Sequence, residues 1–230
     1  MADESAPPLA HAPASDGPSP LPFSAELRRK ALHILALVVP LGMAWLGMPA
    51  ALYLLLPAVG LAVSGDVLRA YSPRFNRFIR RIFGSMMRTA ELPPLGRGVV
   101  INGATWVLVS ALLLALVFPL RVVLPAFTMF MISDAVAAVV GRRWGRHRWG
   151  RTARTVEGSA AFLVSGLAVM ACFPHPIFGV GAVATAVACV AEALPGPGND
   201  NVRVPFAAAL TVVLLEWLLF GQPLDLFPMV

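Results

Sequence analysis

Seven long apolar segments divide the chain, and short polar or basic segments separate them. The apolar segments cover residues 31–47, 49–65, 98–118, 121–140, 158–173, 177–194 and 204–220. Each approaches the length of about 20 residues that an α-helix needs to cross a hydrocarbon core of about 30 Å. The sequence lacks the alternating strands of about ten residues that build a transmembrane barrel. The pattern therefore predicts an all-α, polytopic membrane protein with about seven transmembrane helices.

The segment 72–88, between the second and third spans, has a different periodicity. Ser72 can cap a helix, and Pro73 suits the first helical position. Apolar residues recur at helical spacing, and basic residues mostly occupy the other face. The apolar set is Phe75, Phe78, Ile79, Ile82, Phe83 and Met86, and the basic set is Arg74, Arg77, Arg81 and Arg88. We expect an amphipathic helix on the cytosolic surface, which either anchors to anionic lipid or forms one wall of a lipid-entry groove.

Composition supports the membrane interpretation. Hydrophobic residues make up 58% of the chain and charged residues 13%, with a mean hydropathy of +0.76. A soluble domain is about half apolar and about a quarter charged. These values argue against a soluble globular protein, a disordered protein and a nucleic-acid binder, despite a net charge of +6. Both cysteines, Cys172 and Cys189, lie in apolar runs, where we expect small core residues.

The basic residues fall almost entirely on one side of a seven-span arrangement. Of the 18 lysine and arginine residues, only Arg121 falls on the other side. Because basic loops stay in the cytoplasm, we expect a cytoplasmic N-terminus and an external C-terminus. Residues 1–24 are rich in Pro, Ala and Ser and have no basic or apolar signal-peptide region. We therefore expect a disordered cytosolic tail at 1–24 and an integral membrane catalytic domain at 25–230.

One acidic residue lies inside a predicted span. Asp134 is seven residues before Gly141, or about 10 Å below the cytosolic end of its helix at 1.5 Å per residue. Charges inside a membrane are costly, which makes Asp134 a functional candidate. Its partner must come from another helix, a metal or a substrate. Lys30 and His33 share one helix face at the start of the first span.

A glycine- and arginine-rich loop, residues 141–157, follows Asp134. Gly141, Gly145 and Gly150 allow close backbone approach to a ligand. One arginine guanidinium can donate two parallel hydrogen bonds to two oxygens of a phosphate. The arginines of this loop are Arg142, Arg143, Arg146, Arg148, Arg151 and Arg154. An acid before such a loop suits Mg²⁺ with a polyphosphate, although a loop that only sets topology and binds lipid headgroups is an equal alternative.

Most other polar candidates also gather at the cytosolic interface. They are Asp66, Arg69, Arg88, Glu91, Asn102, Gly103, Thr105, Glu192, Asn199, Asp200 and Asn201. Glu216 lies toward the outer end of the last span and is expected to be structural. A transporter would place its binding groups near the midplane, often in two related halves. The distribution favours enzyme chemistry on a lipid and a soluble anionic cosubstrate.

These residues together resemble the polyprenol and lipid kinases, a group that includes dolichol kinase, phytol kinase and CTP-dependent diacylglycerol kinase. The resemblance covers about residues 26–210. The resemblance rests on the order and spacing of several short matching segments. The matching segments are Arg29–His33, Asp66 with Arg69, Arg88–Glu91, Gly103–Thr105, Asp134–Gly145, Arg154–Ser159 and Asp200–Pro205.

Phosphatidate cytidylyltransferases share the core of this pattern, from the Asp to the Thr-x-Glu-Gly. They carry a further His-Gly-Gly signature near the C-terminus, which this sequence lacks. That difference favours a kinase. Arg154 stands where the kinases usually have Lys, and the two side chains are not interchangeable at a phosphate site. The choice of nucleotide therefore stays open between CTP and ATP.

The resemblance implies an integral membrane kinase, in a bacterial inner membrane, whose active site faces the cytosol. It would transfer the γ-phosphoryl of CTP or ATP to the hydroxyl of a lipid alcohol, with Mg²⁺ expected. Its partners would be a lipid substrate, a nucleoside triphosphate and an anionic lipid surface, without nucleic acid. The alternatives are a phosphatidate cytidylyltransferase and a non-catalytic lipid transporter.

The resemblance also implies roles for individual residues. Asp134 would bind the metal or accept the hydroxyl proton, and Glu157 and Asp200 would be second candidates for metal ligation. The catalytic candidates are Asp134, Glu157, Lys30 and His33. The nucleotide-binding candidates are Gly141, Arg142, Arg143, Gly145, Arg154, Thr155, Gly158, Asp200 and Asn201.

Overall fold

The computed structural model describes residues 22–92, 94–96, 98–150, 152–173 and 178–227. This part of the chain is helical, with one isolated β-bridge and no strand. Single 3₁₀ turns lie at Gly84–Met86 and Thr89–Glu91. The helices are α1 (Phe23–Leu35), α2 (Val38–Leu46), α3 (Ala50–Tyr71), α4 (Pro73–Phe83), α5 (Gly103–Val117), α6 (Leu120–Trp144), α7 (Val156–Met170), α8 (Phe178–Ala193) and α9 (Asp200–Phe220). The predicted all-α class is confirmed.

Four helical stretches are long and apolar enough to cross a membrane. They are Phe23–Leu46, which joins α1 and α2, then α3, α6 and α9. The apolar helices α5, α7 and α8 are shorter, with 15, 15 and 16 residues. Every predicted apolar span coincides with one of these elements. The count of seven crossings and the cytoplasmic orientation stay predictions, and most of the predicted tail at 1–24 lies outside the described residues.

The structure corrects several predicted boundaries. The first span is broken at residues 36–37 into α1 and α2. The predicted loop 141–157 begins as helix, because α6 continues to Trp144 with Arg142 and Arg143 in its last turn. Positive side chains at that position interact favourably with the helix dipole, which explains the extension. Gly145 then ends the helix.

The start of α9 is also earlier than predicted. Asn199 accepts a hydrogen bond from the backbone N–H of Asn201 and caps the helix. Asp200 and Asn201 therefore lie in the first helical turn, not in a loop.

The predicted amphipathic helix is confirmed in shorter form as α4. The Ser72 hydroxyl accepts a hydrogen bond from the N–H of Phe75 at 3.3 Å, and Pro73 occupies the first position. The helix ends at Phe83, and a 3₁₀ turn replaces the predicted continuation to 88.

Helix α6 is the centre of the bundle. Of its most apolar stretch, 61% is buried inside the protein, against 17% for Phe23–Leu46. It packs most extensively on α7, and also on α9, α1, α2 and α5. Phe127, Phe130 and Met131 are fully enclosed in its middle. Asp134 therefore projects from the most buried helix of the fold.

Small residues allow α7 to approach α6 and α8 closely. At Gly166, an added Cβ would lie 2.5 Å from the Thr185 methyl group and 3.1 Å from the Ser133 hydroxyl. At Gly60 on α3, an added Cβ would meet no atom within 4 Å. Helix packing therefore requires a glycine at position 166, whereas position 60 leaves open space for a side chain.

We predict that Gly166→Leu destabilises the protein and that Gly60→Leu does not. Overpacking a dense core costs about 1–3 kcal/mol or more. Thermal unfolding of the purified protein in detergent measures the difference. Equal unfolding temperatures for the two variants would show that the α6–α7–α8 crossing tolerates the extra volume.

Candidate active site

Three of the predicted catalytic residues come together where α1 crosses α6. The Lys30 ammonium donates a hydrogen bond to Oδ2 of Asp134. His33 Nε2 lies 3.5 Å from the same carboxylate oxygen. Lys30 and Asp134 are buried, and His33 is half-buried. The partner of Asp134, which the sequence left open, thus comes from another helix.

The ring of His33 is held in place but its Nε2 atom is unsatisfied. It packs edge-on against Phe130, with ring centroids 5.8 Å apart. Nε2 is buried without a hydrogen-bond partner among the described residues. A buried polar atom without a hydrogen bond costs about 1–3 kcal/mol. This nitrogen is therefore placed to bind a polar group of a ligand.

The cluster of Lys30, His33 and Asp134, called the α1–α6 cluster below, lines a cavity of about 610 Å³. Small-molecule sites commonly occupy about 300–1,000 Å³. Asn102 and Asn201 add amide groups to its polar part. The remaining lining comes mainly from apolar side chains of α1, α2, α3, α4 and α5. One end of the cavity is thus polar, whereas most of its wall is apolar.

Arg154 forms the second charged centre of this region. It bonds to Glu192 at 2.5 Å and to Asp200 at 2.7 Å. Burial alone would lower the pKa of the Arg154 guanidinium, but Glu192, Asp134 and Asp200 outweigh burial and raise it. Arg203 bonds to the other oxygen of Asp200 at 2.6 Å. Arg154 therefore links the start of α7 to the C-terminal end of α8 and the N-terminal end of α9. It also lies close enough to Asp134 for an electrostatic interaction.

The contacts of the acidic residues limit which of them could bind a metal ion without help from a substrate. Both oxygens of Asp200 already accept from arginines, and Asp134 is paired with Lys30. Within the described ranges, no group of three or more His, Cys, Asp or Glu side chains is suitably placed for a metal ion. Mg²⁺ is often held by one or two carboxylates plus substrate phosphates. These residues fit a metal that arrives with a nucleotide, and they do not fit an ion held by protein ligands only.

Gly141 and Gly145, two of the three glycines predicted to allow close approach of a ligand, pack against Thr155, as does Gly158, whereas Gly150 has open space around it. An added Cβ at Gly141 would lie 2.8 Å from the Thr155 hydroxyl oxygen, and one at Gly145 would lie 2.2 Å from the Gly141 carbonyl oxygen. At Gly158 it would lie 3.0 Å from both Thr155 Oγ1 and the Ala137 carbonyl oxygen. Thr155 itself caps α7 by accepting from the N–H of Gly158 at 3.1 Å. Close packing of α6 on α7 explains the three glycines around Thr155 without a ligand.

Glu157 also has a local partner. It accepts from the backbone N–H of His147 and lies 2.7 Å from His147 Nδ1. Its own backbone N–H and then the His147 ring lower the pKa of Glu157 to about 2. Glu157 does not line the cavity and instead closes the turn before α7. Arg142 and Arg143 are exposed on the last turn of α6, outside the cavity wall.

Two cations near the α1–α6 cluster, Arg29 and Arg88, have no role assigned from the sequence. Arg29 bonds to the buried Glu26 at 2.6 Å and lines the cavity. The pKa of Arg88 is lowered, first by burial and then by the positive charge of Arg29, while Arg154 adds a weaker repulsion. Arg88 thus lies close enough to both Arg29 and Arg154 to be repelled by them. Such a group of cations is suited to a polyanionic ligand.

Asp66 and Arg69 line the cavity and bond to the neighbouring backbone. Asp66 accepts from the backbone N–H of Asn102 at 3.0 Å, from its side-chain amide at 2.7 Å and from the Thr105 hydroxyl at 2.8 Å. Arg69 donates to the carbonyl oxygens of Glu91 and Val100, at 3.0 and 2.9 Å. The pair therefore fixes the segment between α4 and α5, and Asn102 in turn caps α5.

We predict that Asp66→Ala loosens this segment. The change leaves the buried Arg69 without its carboxylate, and removing one member of a buried pair costs about 3–5 kcal/mol. Limited trypsin digestion should cut between residues 92 and 101 faster than in the wild type. Asp225→Ala, in the C-terminal segment away from this network, is the control. Cleavage at the wild-type rate in Asp66→Ala would mean that Asp66 does not hold the segment.

The chain is distantly similar to two lipid kinases. It is 29% identical over 124 residues to CTP-dependent diacylglycerol kinase 1 of Schizosaccharomyces pombe, a match that covers 53% of this chain and 54% of that kinase. It is 45% identical over 38 residues to dolichol kinase of Saccharomyces cerevisiae, which covers 16% of this chain and 7% of that kinase. An uncharacterized protein of Rickettsia prowazekii is 24% identical over 205 residues, 86% of this chain and 98% of that protein.

No protein-family model and no solved structure matches the chain. The similarities support a membrane-bound lipid kinase at a distant and partial level, in agreement with the apolar helices of the fold.

Proposed function

We propose that this protein is a kinase that transfers the γ-phosphoryl group of CTP or ATP to the hydroxyl of a membrane lipid alcohol. The acceptor would be polyprenol-like or a diacylglycerol. The observation that carries the proposal is the α1–α6 cluster at the polar end of an otherwise apolar cavity. The names of the two similar kinases support the same reaction class.

The acceptor hydroxyl would bind beside His33 Nε2 and Asp134. In the transfer, the hydroxyl oxygen attacks the γ-phosphorus and forms a new P–O bond. The bridging bond to the β-phosphate breaks, and the nucleoside diphosphate leaves. The hydroxyl proton passes to His33 or Asp134, which lie 3.5 Å apart and face the same space.

The donor phosphates would bind among the neighbouring cations. Lys30 and Arg29 reach this region from α1, Arg88 from the segment after α4, and Arg154 from the start of α7. Glu192 and Asp200 each bond to one terminal nitrogen of Arg154, and a phosphate would bind to guanidinium N–H groups that remain. Mg²⁺ bound with the nucleotide would neutralise part of the phosphate charge. Positioning and charge neutralisation provide most of the catalysis in phosphoryl transfer.

The proposed location follows from the same arrangement. A lipid alcohol stays in the bilayer and a nucleotide stays in water, so their reaction requires a site at the interface. Because basic loops tend to stay in the cytoplasm, the proposed interface is the cytosolic side of a bacterial inner membrane. The arginine face of α4 would contact anionic lipid headgroups there.

We predict that the purified protein in detergent transfers label from γ-labelled CTP or ATP, but not from α-labelled CTP, to an extracted lipid. Assays contain Mg²⁺ with diacylglycerol, a polyprenol and phosphatidate. The mobility of the labelled product identifies the acceptor. Label from the α position would indicate a cytidylyltransferase, and lipid binding without any nucleotide-dependent product would indicate a transporter.

We predict that Asp134→Asn lowers turnover at least about 100-fold, the range expected for a lost acid–base or charge-stabilising group. Glu216→Gln is the matched control, because Glu216 is also a buried carboxylate paired with an arginine, Arg121, but lies in the last turns of α9. Both variants are compared by thermal unfolding. His33→Gln provides a second test if Asp134→Asn does not fold. Wild-type turnover in a folded Asp134→Asn protein would remove Asp134 from the chemistry.

A further inference from the structure

The cavity extends well beyond the groups needed to hold a hydroxyl. From the α1–α6 cluster it continues along apolar side chains of four elements. Leu35 and Val38 contribute from the junction of α1 and α2, Leu61 from α3, and Ile79 from α4. An acceptor hydroxyl alone would leave this apolar volume without an occupant.

The apolar part of the cavity is open on one side. Leu35, Val38 and Leu61 line it, yet they are 69%, 64% and 76% exposed. They belong to Phe23–Leu46 and to α3, the two least buried of the four stretches that are long and apolar enough to cross a membrane. In a bilayer, exposed apolar side chains on such helices contact lipid. The cavity therefore opens sideways, toward hydrocarbon.

Helix α4 closes the cavity toward the interface. Phe75, Ile79 and Phe83 face the cavity, and Met86 in the following turn joins them. These positions follow the helical spacing of the apolar face of α4, while its arginines occupy the other side. The amphipathic helix thus serves as a wall of the cavity, in addition to any contact with the membrane surface.

Helix α3 contributes two small residues to the cavity wall, next to the polar end of the cavity. Ala62 and Gly65 are one turn apart and both line the cavity. A Cβ added at Gly65 would meet no atom within 4 Å, so packing within the protein does not require glycine there. A larger side chain at this position would project into the cavity itself.

We infer that the apolar part of the cavity binds the hydrocarbon chain of the acceptor alcohol. The chain enters sideways from the bilayer between the α1–α2 pair and α3, with its hydroxyl directed to His33 and Asp134. Ala62 and Gly65 set the width available next to the hydroxyl. This inference rests on the proposed kinase function, because it assigns the occupant of the same site.

The kinetic test compares Gly65→Leu with Gly60→Leu. Both glycines lie on α3 with open space around them, but only Gly65 lines the cavity. Gly65→Leu should raise the KM for the lipid acceptor about tenfold or more and leave the KM for the nucleotide unchanged, since misfit in an apolar pocket is worth about 10–200-fold. Gly60→Leu should retain both values. Unchanged lipid KM in a folded Gly65→Leu protein would overturn the inference.

A binding test works without turnover. The wild-type protein in detergent is irradiated, without nucleotide, with diacylglycerol or geranylgeraniol that carries a diazirine on its chain. Mass spectrometry should find the label on the cavity side of α1, α2 or α3, and Gly65→Leu should remove it while Gly60→Leu keeps it. Label confined to other surfaces would contradict the proposed chain site.

The two tests separate the inference from the proposed function. Phosphoryl transfer with unaffected lipid KM and label elsewhere would leave the kinase in place and reject the chain site. Specific label in the cavity without phosphoryl transfer from any nucleotide would support the chain site and reject the kinase.

Discussion

The ion pair of Lys30 and Asp134 is the interaction on which the rest of the site depends. Taking either charge out of water alone costs several kcal/mol, and each partner offsets that cost for the other. The pair fixes α1 across α6, the most buried helix, although α1 is otherwise largely exposed. Because His33 is one turn from Lys30, the same crossing also places its free Nε2 beside the carboxylate. A structural pair thus creates the polar end of the cavity.

Further charged networks hold the surrounding helices around that pair. Asp66 and Arg69 fix the segment leading into α5, and Arg154 joins α7 to α8 and α9 through Glu192 and Asp200. Each network satisfies several backbone or charged groups at once, which favours a rigid arrangement. The opposite side, between the α1–α2 pair and α3, has apolar and exposed walls. The protein is therefore rigid where charge must be positioned and open where a hydrocarbon chain would enter.

The apolar segments were sufficient to predict the helical class and the position of each apolar helix, because bilayer-length hydrophobic runs have few alternative structures. Helix boundaries were predicted less well, because hydropathy does not include capping and the helix dipole. Hydropathy assigns Arg142, Arg143 and the first turn of α9 to loops, whereas the structure has them in helices.

The pairing of Asp134 with Lys30 joins positions far apart in sequence, so spacing could identify both residues as candidates but could not pair them. Arg29 and Arg88 belong to segments that carry the resemblance, but the sequence assigned neither a role at the site because flanking arginines also set topology. For Gly141 and Gly145, the sequence could not distinguish approach to a ligand from approach to Thr155.

The position of the charges relative to the apolar wall supports a reaction between a lipid and a soluble polyanion. A phosphoryl donor requires several cations in one place, whereas a lipid alcohol requires an apolar surface that continues into the bilayer. In this fold the two requirements meet at one carboxylate. Arg154, from the segment before α7, interacts with Asp134, while Arg29 on α1 and Arg88 after α4 lie near each other beside the α1–α6 cluster. Apolar side chains of α1, α3 and α4 line the rest of the same cavity. A transporter would need a polar path across the bundle, yet the middle of α6 is filled by Phe127, Phe130 and Met131. The packed core below Asp134 therefore favours chemistry at one face over passage through the protein.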